Sequence, residues 1–313
     1  MSQLLKVSGI KSLWLGMTSV AAGASAAAMH GNILILPLSL CLLFGISAQL
    51  SINLLHRYND ERYHFGDNED DSINLGSIPF STKSVFREAM IGSSMVTAMI
   101  GLTLIAMAGP DMILFGVLLV GLALLLNLGR HPLGRTPWGV GLSSLAFGPV
   151  GTTAVCLMQS SRESVNDFNW YDLGPALYIG FAVGFLVANW MIVHNYAHID
   201  TDRIHHKETL PVKIGRGGSR IMIMVNACCC AAIVFALAIR EYQEYWIQLT
   251  AVPVVVIPLY AILINKIRKA TPADFPRLLT LAGIIMMLVP IGLLIVFCLT
   301  GIPVDTHLRI INS

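Results

Sequence analysis

Charged residues are scarce in this sequence. Only 12% of its 313 residues are Asp, Glu, Lys or Arg, and the formal net charge at pH 7 is +2. A soluble domain carries about a quarter charged residues, and a nucleic-acid-binding surface needs a clear excess of positive charge. The composition therefore excludes a soluble globular domain, a disordered chain and a nucleic-acid-binding module.

Cysteines are also few, and their positions do not indicate a cross-linked or zinc-binding protein. Three of the six, Cys228 to Cys230, are adjacent within an apolar run. Neighbouring residues of a helix cannot form a disulfide framework, and the sequence has no isolated C-x-x-C pair of the zinc-binding kind. We interpret the cysteines as small apolar residues that line helices.

Long apolar runs dominate the chain instead. Hydrophobic residues make up 55% of the sequence, and the mean hydropathy is +0.70. A helix needs about 20 apolar residues to cross the hydrocarbon layer, and in lipid its backbone groups must be satisfied within the segment. The sequence therefore predicts an all-α polytopic membrane protein, with residues 1–313 forming a single integral-membrane domain. Nine stretches are long enough or nearly so: 12–29, 32–55, 88–108, 111–128, 137–158, 172–194, 220–239, 245–265 and 277–299.

The basic residues are distributed unevenly between the loops. With the N-terminus in the cytoplasm, 17 of the 20 Lys and Arg residues are cytoplasmic and only Arg162, Arg240 and Arg309 are external. Such an excess is typical of cytoplasmic loops. It predicts nine spans in a bacterial inner membrane, a cytoplasmic N-terminus and an external C-terminus. The first stretch lacks a convincing cleavage site, so we expect a span rather than a removed signal.

The first of two long polar loops covers residues 56–87. Six acids lie between Asp60 and Asp71. Asp60, His64 and Asp67 share one face if the second helix continues past the membrane interface. Crowded carboxylates repel one another unless a cation is present, and Mg²⁺ is typically held by a few carboxylates together with substrate phosphates. The loop is consistent with a Mg²⁺ site or with a solvated acidic segment.

The second polar loop covers residues 195–219. His194, His198 and Asp202 recur at steps of four, so they share a helical face. Polar side chains at the end of a span are costly, which makes them functional candidates. Two histidines one turn apart also suit a transition metal, and the alternative is an ordinary helix end that meets water. Asn189, inside the preceding span, we interpret as a helix–helix hydrogen-bonding residue.

The two loops have a complementary chemistry. Both follow even-numbered spans, so both are expected on the same side of the membrane. Acids that hold Mg²⁺, with Lys and Arg nearby, favour binding of a pyrophosphate group. The apolar bundle beneath would accept a hydrocarbon tail, so the residues themselves favour a lipid diphosphate as ligand.

A set of residues in the second loop has the spacing of a known family pattern. The set is Asn195, Asp202, Arg203, Lys207, Thr209, Leu210, Val212 and Gly215. The pattern is approximately N-N-x-R-D-x-x-x-D-R-x-x-G-K-x-T-L-x-V-x-x-G, and with it the chain resembles the UbiA superfamily of intramembrane prenyltransferases. Within that superfamily it is most similar to the 1,4-dihydroxy-2-naphthoate prenyltransferases (MenA-like). Residues 130–141 are similar to the R-P-Y-G…G-L-G-D stretch of the family, and residues 10–13 to its R-P-K-T-L opening.

The resemblance implies nine transmembrane helices around a central cavity. It implies an enzyme that moves a polyprenyl group from polyprenyl diphosphate to an aromatic acceptor such as 1,4-dihydroxy-2-naphthoate, as in menaquinone biosynthesis. The partners are these substrates and membrane lipid, and the cofactor is Mg²⁺ or, in its place, Mn²⁺. The catalytic residues implied are Asp60, Asp67 and Asp202. The metal ligands implied are Asp60, Asp67, Asp200 and Asp202, with His64 and His198 as further candidates. The substrate-binding residues implied are Asn59, Asn195, Arg203, Lys207, Tyr63 and Tyr196.

The chain departs from the family pattern at three acidic positions. Tyr63 stands at the middle Asp of the first motif, N-D-x-x-D-x-x-x-D, when the motif is read from Asn59. His198 replaces the first Asp of the second motif, and Leu142 replaces the Asp of G-L-G-D. These departures support a second interpretation, a divergent homologue that binds isoprenoid or quinone lipids without transferring a prenyl group.

The first motif also allows a second register. Anchored on Asn53 and Leu54, it places His56 and Arg57 at the N-D pair and Asp60 at the middle Asp. We prefer the register that begins at Asn59 because it matches three of the four positions without a gap.

Overall fold

The computed structural model describes residues 12–29, 33–64, 80–128, 132–159 and 173–300, and the side chains of these ranges except 56–64, 80–86 and 300. Within these ranges the regular structure is entirely helical, as the apolar composition predicts. The α-helices are α1 (Leu13–Ala28), α2 (Ile35–His64), α3 (Phe80–Ala108), α4 (Asp111–Asn127), α5 (Trp138–Leu145), α6 (Gly151–Gln159), α7 (Gly174–Ala197), α8 (Ile199–Ile204), α9 (Leu210–Glu241), α10 (Trp246–Lys269) and α11 (Phe275–Thr300). A π-helical segment joins α5 to α6 (Ala146–Val150), and 3₁₀ turns occupy Leu133–Arg135, Gln243–Tyr245 and Pro272–Asp274.

Seven helical stretches in the described ranges are long and apolar enough to cross a membrane. They are α2, α3, the α5–α6 stretch, α7, α9, α10 and α11. Two shorter apolar helices, α1 and α4, have 16 and 17 residues. At 1.5 Å per residue they reach about 25 Å, slightly less than the hydrocarbon layer. All nine predicted stretches are thus helical, while the count of nine spans stays a prediction.

The polar loops are more helical than the sequence predicts. α2 continues beyond the predicted span to His64, and α9 begins at Leu210, well before the predicted start at residue 220. α8 adds a short helix inside the second loop. Apolarity marks only the part of a helix that lies in hydrocarbon, so it does not detect the polar extensions.

α1 lies in the interior of the bundle. It contacts α2, α6, α7 and α11, and its residues Ala22 and Ala26 are fully buried. A Cβ atom at Gly16 would lie 2.8 Å from the carbonyl oxygen of Gly45 on α2. Small residues therefore allow the two backbones to approach closely, as is common between helices in membranes.

The fifth predicted span is not one regular helix. It is interrupted by the π-helical segment, in which Gly148 has φ −86° and ψ −107° and is followed by Pro149. Proline lacks an N–H donor and clashes with the preceding turn, and such segments kink helices. A Cβ atom at Gly148 would lie 2.6 Å from the carbonyl oxygen of Gly180. The interruption therefore allows this span to pack closely against the backbone of α7.

α7 has the largest buried share of the candidate spans. Its polar residue Asn189 is fully buried and donates a hydrogen bond of 3.0 Å to the carbonyl of Ile223 on α9. The amide of Asn226 donates in turn to the Asn189 side-chain oxygen at 2.9 Å. The interpretation of Asn189 as a helix–helix hydrogen-bonding residue is confirmed. These bonds fix α7 to α9, the two helices that flank the second polar loop.

Candidate functional site

Contacts between the helices show where the helices that lead into the two polar loops end. Ser12, before α1, exchanges hydrogen bonds of 2.7 and 3.0 Å with Asn53, in the second half of α2 and near the end of the predicted second span. The ring of Trp14 in α1 packs against α11. Phe275, the first residue of α11, lies 6.0 Å from Tyr196 between ring centroids, and Tyr196 is near the end of α7. The helices that lead into the two loops therefore end at the same face of the bundle, as the alternation of spans predicts.

Asp202 is the buried acid of the second loop. The residue is 8% exposed, and its carboxylate Oδ2 accepts a hydrogen bond of 3.2 Å from the Thr209 hydroxyl. Its backbone N–H donates to His198 at 2.7 Å, and its carbonyl accepts from the N–H of Lys207 at 2.8 Å. Carboxylates are rarely this buried unless they are paired or bind a cation. Asp202 is therefore the strongest candidate for chemistry in the described part of the chain.

Asp200 lies two positions earlier on α8 in different surroundings. Its side chain is 76% exposed, and its Oδ2 accepts a 2.7 Å hydrogen bond from Nη2 of Arg216 on α9. Two positions along an α-helix correspond to a rotation of about 200°, which explains why the two acids diverge. The hypothesis that Asp200 and Asp202 hold one cation together stays a prediction.

A stack of three rings runs along the end of α7. The centroids of Trp190 and His194 are 5.6 Å apart with their planes at 20°, and those of His194 and His198 are 5.3 Å apart at 53°. Trp190 is buried, His194 half-buried and His198 exposed, so the stack leads from the core to the surface. Nδ1 of His194 lies 3.2 Å from the side-chain oxygen of Asn195. The shared face of the two histidines, expected from their spacing, is confirmed.

The remaining predicted substrate-binding residues of this loop differ in exposure. Asn195 and Lys207 are half-buried and Arg203 is exposed. Tyr196 is only 4% exposed, because it packs against the start of α11 and under the guanidinium of Arg216, whose central carbon is 5.7 Å from the ring centroid. Tyr196 is thus part of the packed wall, and its contact with an acceptor ring stays a prediction.

The first loop is described only through the backbone of α2. That helix continues to His64, so Asp60 and His64 lie one turn apart on one face, as predicted. The side chains of Asn59, Asp60, Tyr63 and His64 are outside the described residues. The whole of Asp67 is also outside them. The register of the first motif and its convergence with Asp202 therefore stay predictions.

The side chains of the described residues supply only part of a Mg²⁺ site. Within the ranges that the structure covers, no three His, Cys, Asp or Glu side chains cluster closely enough to hold a metal ion. Asp202 supplies one buried carboxylate, and Mg²⁺ often takes one or two carboxylates together with phosphate and water oxygens. A complete site therefore needs the acids of the first loop or the phosphates of a substrate in addition.

Two backbone conformations in the second loop were not predicted. Gly215 interrupts α9 with φ 72° and ψ 176°, a region that essentially only glycine adopts. His206 stands where the family pattern has glycine, and it has a positive φ of 52°. The positive φ at Gly215 could have been predicted, because the family pattern has glycine at this position. The spacing gave no signal for Arg216, which follows this glycine directly and pairs with Asp200.

An apolar groove lies close to the first loop, between α2 and α3. Its volume is about 360 Å³, and it is lined by Leu55, Met90, Ile91, Ser94, Met95 and Ala98. Leu55 is one helical turn before Asn59, so the groove reaches the start of the predicted first motif. The lining suits a hydrocarbon chain rather than a polar ligand.

The helices define an integral membrane protein, and comparisons with known proteins identify its family. The sequence profile of the UbiA prenyltransferase family matches residues 16–282. The chain therefore belongs to the UbiA prenyltransferase family. It is also similar to the 1,4-dihydroxy-2-naphthoate octaprenyltransferase of Mycobacterium tuberculosis, with 28% identity over 205 residues. That alignment covers 65% of this chain and 66% of the relative, slightly less than two thirds of the relative's length.

Two solved structures share the fold. The apo structure of a UbiA homolog from Aeropyrum pernix K1 has a TM-score of 0.64 and 12% identity, covering 90% of this chain and 97% of that chain. A structure of digeranylgeranylglyceryl phosphate synthase has a TM-score of 0.57 and 14% identity, covering 95% and 99%. At these identities the likeness establishes the fold alone. The family expected from the sequence is confirmed, and so is an all-helical, UbiA-like fold; the nine spans around a central cavity stay a prediction.

Proposed function

We propose that this protein transfers a polyprenyl group from its diphosphate to an aromatic acceptor, with 1,4-dihydroxy-2-naphthoate as the acceptor. Membership of a prenyltransferase family supports the reaction, and the name of the M. tuberculosis relative supports the acceptor. The observation that carries the proposal is the buried carboxylate of Asp202 in the second polar loop, which accepts a hydrogen bond from Thr209.

The proposed reaction makes two demands on the site. The bond between prenyl C1 and the diphosphate oxygen breaks, C1 joins a carbon of the acceptor ring, and that ring carbon then loses its proton. The site must stabilise the departing diphosphate charge and keep water away from the cationic prenyl carbon. Half-burial of Lys207 and exposure of Arg203 suit contacts with diphosphate oxygens at the rim.

The remaining roles fall to the acids and to the apolar surfaces. Asp60, Asp67 and Asp202 would hold Mg²⁺ or Mn²⁺, which supplies positive charge to the diphosphate when bound. Asn195 would assist them, and Tyr63 or Tyr196 would orient the acceptor. The apolar groove between α2 and α3 supports a place for the prenyl chain, because it begins one turn before Asn59.

The test is an assay of purified protein in lipid nanodiscs. A polyprenyl diphosphate, 1,4-dihydroxy-2-naphthoate and Mg²⁺ are added, and the prenylated product is measured by mass spectrometry. Asp202→Asn keeps the size of the side chain and removes its charge, so we expect product formation to fall by at least about 100-fold. Asp111→Asn, the same change at the first residue of α4, is expected to leave the rate unchanged.

Two results would count against the proposal. Wild-type rates in Asp202→Asn would remove Asp202 from the site. Failure of the wild-type protein to prenylate any of a panel of aromatic acceptors, beside an active control enzyme, would remove the transfer activity itself.

A second candidate function is binding of an isoprenoid or quinone lipid without transfer. It is favoured by His198 at an acidic position of the family pattern and by the lack of a three-donor cluster in the described residues. This function predicts that prenyl lipid binds equally well with Mg²⁺ and with EDTA. Binding that requires Mg²⁺ would contradict it and support the enzyme.

A further inference from the structure

Arg216 connects three helices in the second loop. Its Nη2 donates to Oδ2 of Asp200 on α8, and its guanidinium lies over the ring of Tyr196 on α7. We infer that Asp200 is the anchor of Arg216 and not a metal ligand, and that Arg216 is a positioning residue for Asp202. The expected effect on binding of the prenyl diphosphate rests on the proposed function.

The position of Arg216 follows from the backbone before it. Gly215 interrupts α9 with a positive φ of 72°, so Arg216 starts the regular part of the helix in a new direction. From there its side chain reaches back to α8 and α7, sixteen residues or more away in the sequence. A residue with a Cβ atom at 215 would strain this turn.

The pairing of Asp200 makes it a poor metal ligand. The Arg216 contact, at 2.7 Å, is a charge-assisted hydrogen bond to one carboxylate oxygen. A divalent cation on the same carboxylate would lie close to the guanidinium and would be repelled by it. Asp202 differs from Asp200 in burial: it is 8% exposed, and its Oδ2 accepts a hydrogen bond from the Thr209 hydroxyl.

Residues at the start of α9 contact both Asp200 and Asp202. Thr209, just before α9, binds the Asp202 carboxylate, and Arg216 binds Asp200 two residues earlier. α8 has only six residues, so these contacts contribute to its orientation. Loss of the Arg216 contact is therefore expected to loosen the placement of Asp202.

The expected effect is modest because the pair is exposed. The side chains of Arg216 and Asp200 are 54% and 76% exposed. An exposed ion pair and an exposed cation–π contact together correspond to about a five-fold change in binding. A metal ligand at Asp200 would instead make Asp200→Asn lower metal affinity far more than Arg216→Gln does.

The experiment compares Asp200→Asn, Arg216→Gln, the double variant and the charge exchange Asp200→Arg/Arg216→Asp in full-length protein. Mn²⁺ affinity in the presence of inorganic pyrophosphate is measured by electron paramagnetic resonance. KM for the prenyl diphosphate, kcat and amide hydrogen exchange over residues 196–209 are measured alongside. Arg240→Gln is the matched control, because Arg240 lies at the other end of α9 and contacts an acid, Glu241, and a tyrosine, Tyr178.

We expect Arg216→Gln to raise KM by about five-fold and Asp200→Asn, which keeps the contact of Arg216 with Tyr196, by about two-fold. Both should leave kcat within about two-fold, and any loss of Mn²⁺ affinity should be similar in the two variants. The double variant should be no worse than Arg216→Gln, and the charge exchange should restore the part of the effect that is due to the ion pair. Arg240→Gln should change none of these quantities. A ten-fold loss of Mn²⁺ affinity in Asp200→Asn alone, or effects that multiply in the double variant, would overturn the inference.

The inference can fail separately from the proposed function. If the wild-type protein transfers no prenyl group, hydrogen exchange still tests the contact. Equal increases of exchange over 196–209 in Asp200→Asn and Arg216→Gln would then support it, and unchanged exchange in either would refute it.

Discussion

Replacement of Gly215 by alanine isolates the backbone strain that the structure assigns to the start of α9. The residue has φ 72° and ψ 176°, and among the described residues no heavy atom lies within 4 Å of a Cβ built there. The cost of a side chain is thus conformational and not steric. Non-glycine residues held in this region cost about 1–3 kcal/mol. We expect Gly215→Ala to lower the free energy of unfolding by about 2 kcal/mol, measured by tryptophan fluorescence in mixed detergent–SDS titrations.

Gly217 provides a matched control two residues away. A Cβ atom there also meets no described heavy atom within 4 Å, and no left-handed φ is found at that position. Alanine is the better helix former, so Gly217→Ala should raise the free energy of unfolding by up to about 1 kcal/mol. If Gly215→Ala were as stable as Gly217→Ala, the backbone of α9 could not have the interruption described, and the placement of Arg216 would lose its cause.

Three further predictions concern local conformation, the core and topology. His206→Gly should raise the free energy of unfolding by about 0.5–1 kcal/mol, because φ at this residue is 52°; a decrease would contradict that conformation. Asn226→Ala should lower it by about 1 kcal/mol through loss of the 2.9 Å hydrogen bond to Asn189. Cys228→Ala, at an exposed position of the same helix, should have a smaller effect, and equal effects would refute the role of the hydrogen bond. Alkaline phosphatase fused to the C-terminus should be active and fused to the N-terminus inactive; the reverse would exclude the proposed orientation.

The positions of the helices were predictable because apolar length is a strong and local signal. All nine stretches identified by hydropathy are helices in the structure. The interruption at Gly148 was not predicted, since glycine and proline are both tolerated in spans and only the contact with Gly180 shows why they are there. The interior position of α1 also depends on contacts with four other helices, which no local pattern contains.

The site was predictable where a residue's role depends on helical spacing. The rings of His194 and His198 are in contact as their spacing of four indicates, and Asp60 and His64 share a face because α2 continues to His64. The different environments of Asp200 and Asp202 were not predictable, because they depend on partners from α9. The sequence suggests equal acids, whereas in the fold Asp202 is buried and Asp200 is exposed and paired with the guanidinium of Arg216.

The missing acid at position 198 is weaker evidence against catalysis than a tally of carboxylates suggests. The family pattern has Arg and Asp where this chain has Ala197 and His198. One positive and one negative charge are absent together, so the net charge of the loop is the same. His198 also makes a ring contact with His194 that an aspartate cannot make, which gives the substitution a packing role of its own.

The buried acid of the second loop, Asp202, is one that this chain shares with the family pattern. Asp202 is buried beside Thr209, and both residues match the pattern. The guanidinium and carboxylate absent at 197 and 198 have a counterpart in the Asp200–Arg216 pair of the same loop. Restoring the pattern with Ala197→Arg/His198→Asp would therefore add a second pair without changing the net charge. Transfer should change little in that variant if Asp202 carries the chemistry, and should rise by orders of magnitude if the acid at 198 is indispensable.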